Sequence, residues 1–171
     1  LDEDDKTVSD IDLKKRYKKI ATRRVKIAII GAGNAGCITA LEWGFFGKKS
    51  WYGPSELEVE LIYDPSIKSE PVGQGTATEL TRLITSLDFD WYNNPIDATP
   101  KHGILFENWG KKNHKFINPF DSASLGMHFD PSKLQKYILN SGIFKVIEDR
   151  IDDLSTIDAD FIFDCRGGKN Y

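Results

Sequence analysis

The stretch VKIAIIGAGNAGCITALEWGFFG, residues 25–47, leaves this chain few folding options. Val25 to Ile30 are apolar and mostly β-branched, with only Lys26 breaking the run, which predicts a strand buried on both faces. Gly31, Gly33 and Gly36 follow at G-x-G-x-x-G spacing, and a helix is predicted from about Ala35 to Phe46, ending near Gly47. Gly31 permits the tight turn, Gly33 lets a pyrophosphate approach the backbone, and Gly36 lets helix and strand pack closely. The helix N-terminus, with Asn34 and Ala35, offers free N–H groups and a partial positive charge to phosphates. The turn alone does not separate NAD from FAD. A purely structural turn, in which small residues only allow close packing, is the alternative.

The following residues place that turn in a larger unit. LEVELIY, residues 57–63, alternates apolar and polar and predicts a second strand, after a loop over KKSWYGPSE. Strand, helix, strand predicts a right-handed crossover into a parallel sheet. Tyr63 or Asp64, at the end of the second strand, falls where a ribose 2′-hydroxyl is recognised. The spacing to Asp64 exceeds the usual ~20 residues, which the inserted FFGKKSWYGPSE explains. Pro, Ser and Gly exclude a helix just after Asp64, whereas Leu80, Leu83, Ile84 and Leu87 have helical spacing. KHGILFENW predicts a short strand with Ile104 and Phe106 on one face. HFDPSKLQKYILNSG predicts a helix with Pro131 in its first turn and Gly142 past its end. IFKVIE and DADFIFDC are further strand candidates. The order is α/β with a mixed sheet.

Composition removes several function classes. At 171 residues, with 40% apolar and 29% charged content, the chain supports one sizeable globular domain. Residues 1–23 form a polar N-terminal extension, and the domain is expected over 24–171. No apolar run reaches the ~18 residues of a membrane helix, and no secretory leader is visible, so no membrane partner is expected. The two cysteines, Cys37 and Cys165, propose no disulfide framework, which makes a reducing, cytoplasmic location the default. His102, His114 and His128 lack ligand spacing, so no metal is expected. The net charge of −3 argues against a nucleic-acid partner. The basic run LKKRYKKIATRRVK is read as a solvated face, with a phosphate patch as the alternative.

Four further stretches, in order behind the glycine turn, carry a family resemblance. DPSIKSEPVGQGTATEL resembles the strap of flavin-dependent halogenases of the tryptophan halogenase family, with Val72, Gly73, Gln74, Gly75 and Thr76 at the usual V-G-E-A-T. KHGILFENWG resembles the family's K-x-[AG]-I-x-F-x-N-W, supplying Lys101, Gly103, Ile104, Phe106, Asn108 and Trp109. LGMHFDPSKLQKYI is similar to the Y-H-F-D segment and its helix, and DADFIFDCRGG to the late strand and turn that return to the flavin. Gln74 and Gly75 replace the common Glu and Ala, and Pro100 stands where an aromatic residue often precedes the lysine.

The resemblance covers about residues 25–168 and implies a Rossmann-like FAD-binding fold, incomplete in this chain. It implies FAD, reduced by a separate flavin reductase, and a halide that is converted to hypohalous acid for a small aromatic, indole-like substrate. Gly31, Gly33, Asn34, Ala35, Gly36, Tyr63, Asp64 and the strap residues Val72 to Thr76 would hold the cofactor. Lys101 would be catalytic, polarising hypohalous acid or carrying the halogen as a haloamine. Gly73 and Gly75 would let the strap lie close to the isoalloxazine, their N–H groups helping to hold halide. The family's W-x-W-x-I-P signature and catalytic glutamate would lie beyond Tyr171, so the chain is expected to be inactive alone, as a piece of a longer protein or a truncated gene product. A non-catalytic nucleotide-binding domain and a flavin monooxygenase are the competing readings. His128 is read as a core or supporting residue, Cys165 as a small buried hydrophobe, and Phe106 and Trp109 as core packing or, for Trp109, a pocket wall.

Overall fold

The computed structural model describes residues 24–48, 57–69, 71–110, 112–121 and 125–167. The extension 1–23, most of the basic run, the loop over 49–56 and Gly168 lie outside the described residues. The predicted strand is β1 (Val25–Ile30), followed by helix α1 (Asn34–Lys48) and β2 (Leu57–Tyr63). Helix α1 ends at Lys48, one residue past the Gly47 expected near its end. A Cβ at Gly44 would sit 2.5 Å from Ile143 Cγ2, so that glycine sets how closely α1 approaches residue 143.

Downstream come β3 (Gln74–Gly75), α2 (Thr78–Thr85), β4 (Thr99–Lys101), β5 (Gly103–Glu107), β6 (Lys115–Pro119) and β7 (Gly126–Phe129). The chain continues with α3 (Pro131–Leu139), β8 (Lys145–Glu148), a 3-10 turn (Leu154–Thr156) and β9 (Phe161–Asp164). The main sheet has the order β8-β2-β1-β9 and is parallel throughout, with Val25 opposite Leu57 and Ile30 opposite Ile62. Antiparallel pairing is confined to two small sheets, β3-β7-β4 and β5-β6. The mixed character expected from the sequence is thus divided between separate sheets. His128 and Phe129, placed by the sequence reading at a helix entrance, belong to β7. Helix α3 begins at Pro131, where Asp130 caps it by accepting from the N–H groups of Ser132 and Lys133.

Period-two alternation sorts the sheet into two faces. Ile27, Ile29, Val59 and Leu61 face the main core with Leu41 of α1, Ile84 of α2 and Leu134 and Ile138 of α3. Ala28, Ile30 and Ile62 face the other way, covered by Ile147, Ile151, Leu154, Ile157 and Ala159 from the segment leading to β9. Glu60 lies on β2 among these positions and is buried, only 4% exposed. Lys145 donates to its Oε1 at 2.7 Å, and the Lys26 ammonium lies 3.1 Å from Oε2. Burial alone would raise the Glu60 pKa, but the bonds and charges of Lys145 and Lys26 outweigh it and hold the carboxyl below its ordinary value. No helix of the described residues is long and apolar enough to cross a membrane.

Candidate functional site

The glycine turn is clamped between two strands. Gly31 donates its N–H to Ile62 O at 2.8 Å, and Cys165 donates to Ile30 O at 2.8 Å. Gly31 has φ +104°, and a Cβ there would meet the Cys165 carbonyl oxygen at 2.8 Å. A Cβ on Gly36 would fall 1.8 Å from the Gly31 oxygen. Both positions are closed to any larger residue. Gly33 is the opposite case, for a Cβ there would meet nothing within 4 Å. The turn is therefore sealed against the protein at its ends and open in its middle, at the N-terminus of α1, where the helix leaves N–H groups without intrahelical partners.

A cavity of about 550 Å³ lies beside this turn, at the carboxyl ends of β1, β2 and β9. Gly31, Gly33, Tyr63 and Asp64 line it together. This is the edge of a parallel sheet where nucleotides bind in such folds. Asp64 Oδ1 accepts from Ser66 N at 2.8 Å and Ser66 Oγ at 2.6 Å, and Arg150 lies 3.9 Å from Oδ2. The Ser66 bonds, with Arg150 assisting, hold the Asp64 carboxyl below its ordinary value. Tyr63 donates its hydroxyl to Glu148 at 3.1 Å. Burial first, then Glu148, pushes the phenol up, so it remains a donor.

The sequence reading missed Lys68, Gln135 and Arg150, which also line this cavity. Gln135 donates to Ala32 O inside the turn at 2.7 Å, and Ser69 donates to Gln135 Oε1 at 2.9 Å. Its only signal was a polar residue next to Leu134 on an otherwise ordinary helix. A second cavity of about 770 Å³ shares Tyr63, Ile67, Lys68, Ser69 and Gln135 with the first and extends to Val72, Gly73 and His128.

The remaining strap residues gather at β3. Asn34 donates its side-chain amide to Gln74 Oε1 at 2.6 Å, joining turn and strap. Thr76 donates its N–H to Met127 O at 2.8 Å. Lys101 Nζ donates to Thr76 O at 3.2 Å and lies 5.6 Å from the centre of the Phe120 ring. A Cβ on Gly75 would meet His128 Nδ1 at 2.8 Å and lie 3.7 Å from Lys101 Nζ. Lys101 lines neither of the two cavities, and Ala35 is exposed at the start of α1. Pro100 is tolerated because β4 is an edge strand of its sheet.

Three readings of single residues are corrected or refined. Trp109 is 65% exposed and is not core; it meets Phe106 edge-on at 4.7 Å, and Phe106 stacks on Phe116 at 4.8 Å. The β5-β6 hairpin packs these rings on one another because it stands off the main core. His128 is exposed on β7 rather than buried. Cys165 is only partly buried, but it does pack against the core. Burial pushes the Cys37 thiol up to about 12 and raises Cys165 too, which removes both as thiolate nucleophiles. Among the described residues no three His, Cys, Asp or Glu side chains gather as a metal site.

Known proteins are similar to this chain in sequence and in fold. A tryptophan 6-halogenase of Streptomyces toxytricini is 28% identical over 99 residues, which cover 56% of this chain and 18% of that protein. A 7-chloro-L-tryptophan 6-halogenase of a Kutzneria species is 31% identical over 98 residues, again 56% and 18%. The crystal structure of the Streptomyces toxytricini enzyme shares the fold with a TM-score of 0.62 at 17% identity, over 84% of this chain and 42% of that one. A flavin-dependent halogenase from Xanthomonas campestris gives 0.61 at 18% identity, again over 84% and 42%. The chain thus spans less than half the length of the solved relatives it matches. The profile described as tryptophan halogenase matches residues 26–157, and the chain belongs to that family.

Proposed function

We propose that this chain is the cofactor-holding part of a flavin-dependent halogenase acting on a small aromatic, indole-like substrate. The observation that carries the reading is the glycine turn, closed at Gly31 and Gly36 and open at Gly33, beside a cavity at the carboxyl edge of the parallel sheet. Gly33 and the first N–H groups of α1 would face the pyrophosphate of FAD. Asp64 and Tyr63 would take the ribose end, and Lys68 and Arg150 supply cationic groups around the phosphates. Val72 to Thr76 would lie along the flavin from the side of the second cavity.

Reduced flavin, supplied by a separate reductase, would provide with oxygen the oxidising equivalent that turns halide into hypohalous acid. Lys101 would then hydrogen-bond and polarise the hypohalous acid at its Nζ, using the ammonium that now donates to Thr76 O. That bond uses one of the three ammonium N–H donors and leaves two for another acceptor. The family membership and the order of the motifs support this assignment, and a reducing, cytoplasmic setting suits the chemistry.

A nucleotide-binding domain without chemistry is the second reading, favoured by one observation: Lys101 is tied to the strap and lines neither cavity. Titration of FAD into the purified chain, followed by flavin fluorescence with NAD as control, tests the shared part. Saturable perturbation by FAD alone is expected; where the chain alone does not bind, the same titration on a full-length protein containing it decides, and absence of binding there overturns both the cradle and the halogenase reading. In a full-length protein containing this chain, Lys101→Ala should abolish halogenation with flavin still bound. Unchanged turnover would sink the catalytic assignment of Lys101, whereas a full-length protein that binds FAD but does not halogenate would favour the non-catalytic reading.

A further inference from the structure

The strap is tied at both ends. Asn34, the first residue of α1, holds Gln74 at 2.6 Å, and the Thr76 carbonyl two residues on accepts from Lys101 Nζ at 3.2 Å. We propose that Gln74, Gly75 and Thr76 form a hydrogen-bonded relay from the phosphate turn to Lys101, with Gln74 as the positioning residue. The proposal rests on the cofactor reading above for its purpose, though not for its geometry.

Three observations converge on it. The link spans only three residues, and Gln74 and Gly75 both pair with β7, so a shift at Gln74 has a short path to Thr76. Gln74 is half-buried, and its bond to Asn34 is the strap's side-chain tie to the glycine turn. The side chain is also a neutral amide. A carboxylate would accept from Asn34 equally well, but would set a full negative charge beside the α1 N-terminus, where the pyrophosphate is expected. The amide makes the same link without that repulsion. Pairing with β7 is the competing restraint, since Thr76 N–H already bonds Met127 O and Gln74 lies opposite Phe129.

The test measures acylation of Lys101 by a lysine-directed acetylating reagent in the ligand-free chain, by mass spectrometry, with the exposed Lys112 as internal reference. Gln74→Ala should speed Lys101 acylation about fivefold relative to Lys112, the equivalent of one net hydrogen bond of about 1 kcal/mol. Gln74→Glu, which keeps an acceptor for Asn34, should restore the wild-type ratio while weakening FAD binding. Asn34→Ala is the second variant, expected to match Gln74→Ala and available should the latter fail to fold. An unchanged Lys101 ratio in the folded alanine variants overturns the relay and leaves the β7 pairing as the only restraint. Failure of a full-length wild-type protein containing this chain to bind FAD would overturn the cofactor reading instead, since the acylation comparison needs no flavin.

Discussion

The glycine turn and the strap both press glycines against their neighbours, but against different kinds of atom. At Gly36 the intruding Cβ would meet the Gly31 carbonyl oxygen at 1.8 Å, a backbone atom fixed by the sheet. At Gly75 it would meet the His128 ring, a side chain exposed on the central strand of the small β3-β7-β4 sheet. The turn is determined by backbone packing and cannot be adjusted locally. The strap is held by individual side-chain and edge-strand bonds, so single substitutions can retune it. In this chain the turn that would hold the pyrophosphate is fixed by backbone packing, and the strap that would lie along the flavin and reach Lys101 is adjustable.

Alanine scanning of the glycines puts that contrast at risk. Gly36→Ala should cost about 3 kcal/mol or more, enough to unfold much of the chain, because no side chain can yield. A near-native thermal melt would show that the turn is softer than its contacts. Within the same rigid sheet, Glu60→Gln should cost about 1–2 kcal/mol at pH 7, discounted for the exposure of its lysine partners. Because the folded-state pKa of Glu60 is lowered, the wild-type advantage is complete above the unfolded value of about 4.3. It is lost as pH falls through the lower folded value. Urea titrations at pH 7 and at pH 3 should therefore show the gap between wild type and variant closing in acid.

Gly75→Ala should cost less, about 1 kcal/mol, as the His128 ring rotates aside. Its clearer mark should be a change in Lys101 acylation. A loss as large as that of Gly36→Ala would erase the difference between the two regions. The smallest effect on stability is expected at Gly33→Ala, within about 0.5 kcal/mol of wild type, since its Cβ enters open space. FAD affinity should nevertheless fall, because that space is where the pyrophosphate would lie. Unchanged affinity would move the cofactor away from the turn.

The same division decides what could be read from the residues. β1 and β2 were legible because their apolar side chains repeat over six and seven positions and the glycines follow directly. The helices α2 and α3 declared themselves by Leu80, Leu83 and Ile84, and by Pro131 in the first turn with Gly142 past the end. β3, β4 and β6 were missed because two to five residues give too little periodicity, and KFINP is exposed along its whole length. The candidate turn residues could be named in advance, since Gly31, Gly33 and Gly36 act through local backbone. Gln135 and Arg150 could not, because a crossover and a helix from elsewhere in the chain bring them to the cavity.

The back of the parallel sheet carries a separate consequence. Ala28, Ile30 and Ile62 are covered there by the 147–159 segment, whose regular structure beyond β8 is a single 3-10 turn from Leu154 to Thr156. The part of this cover beyond β8, from Arg150 to Ala159, is expected to open at a cost below global unfolding while Ile147 stays paired with Ile62 in the sheet. Amide hydrogen exchange should then reach this side of the cradle earlier than the helix-covered side. Arg150 travels with that cover, so a bound nucleotide could gain or lose a cationic contact while the core that carries the turn stays folded.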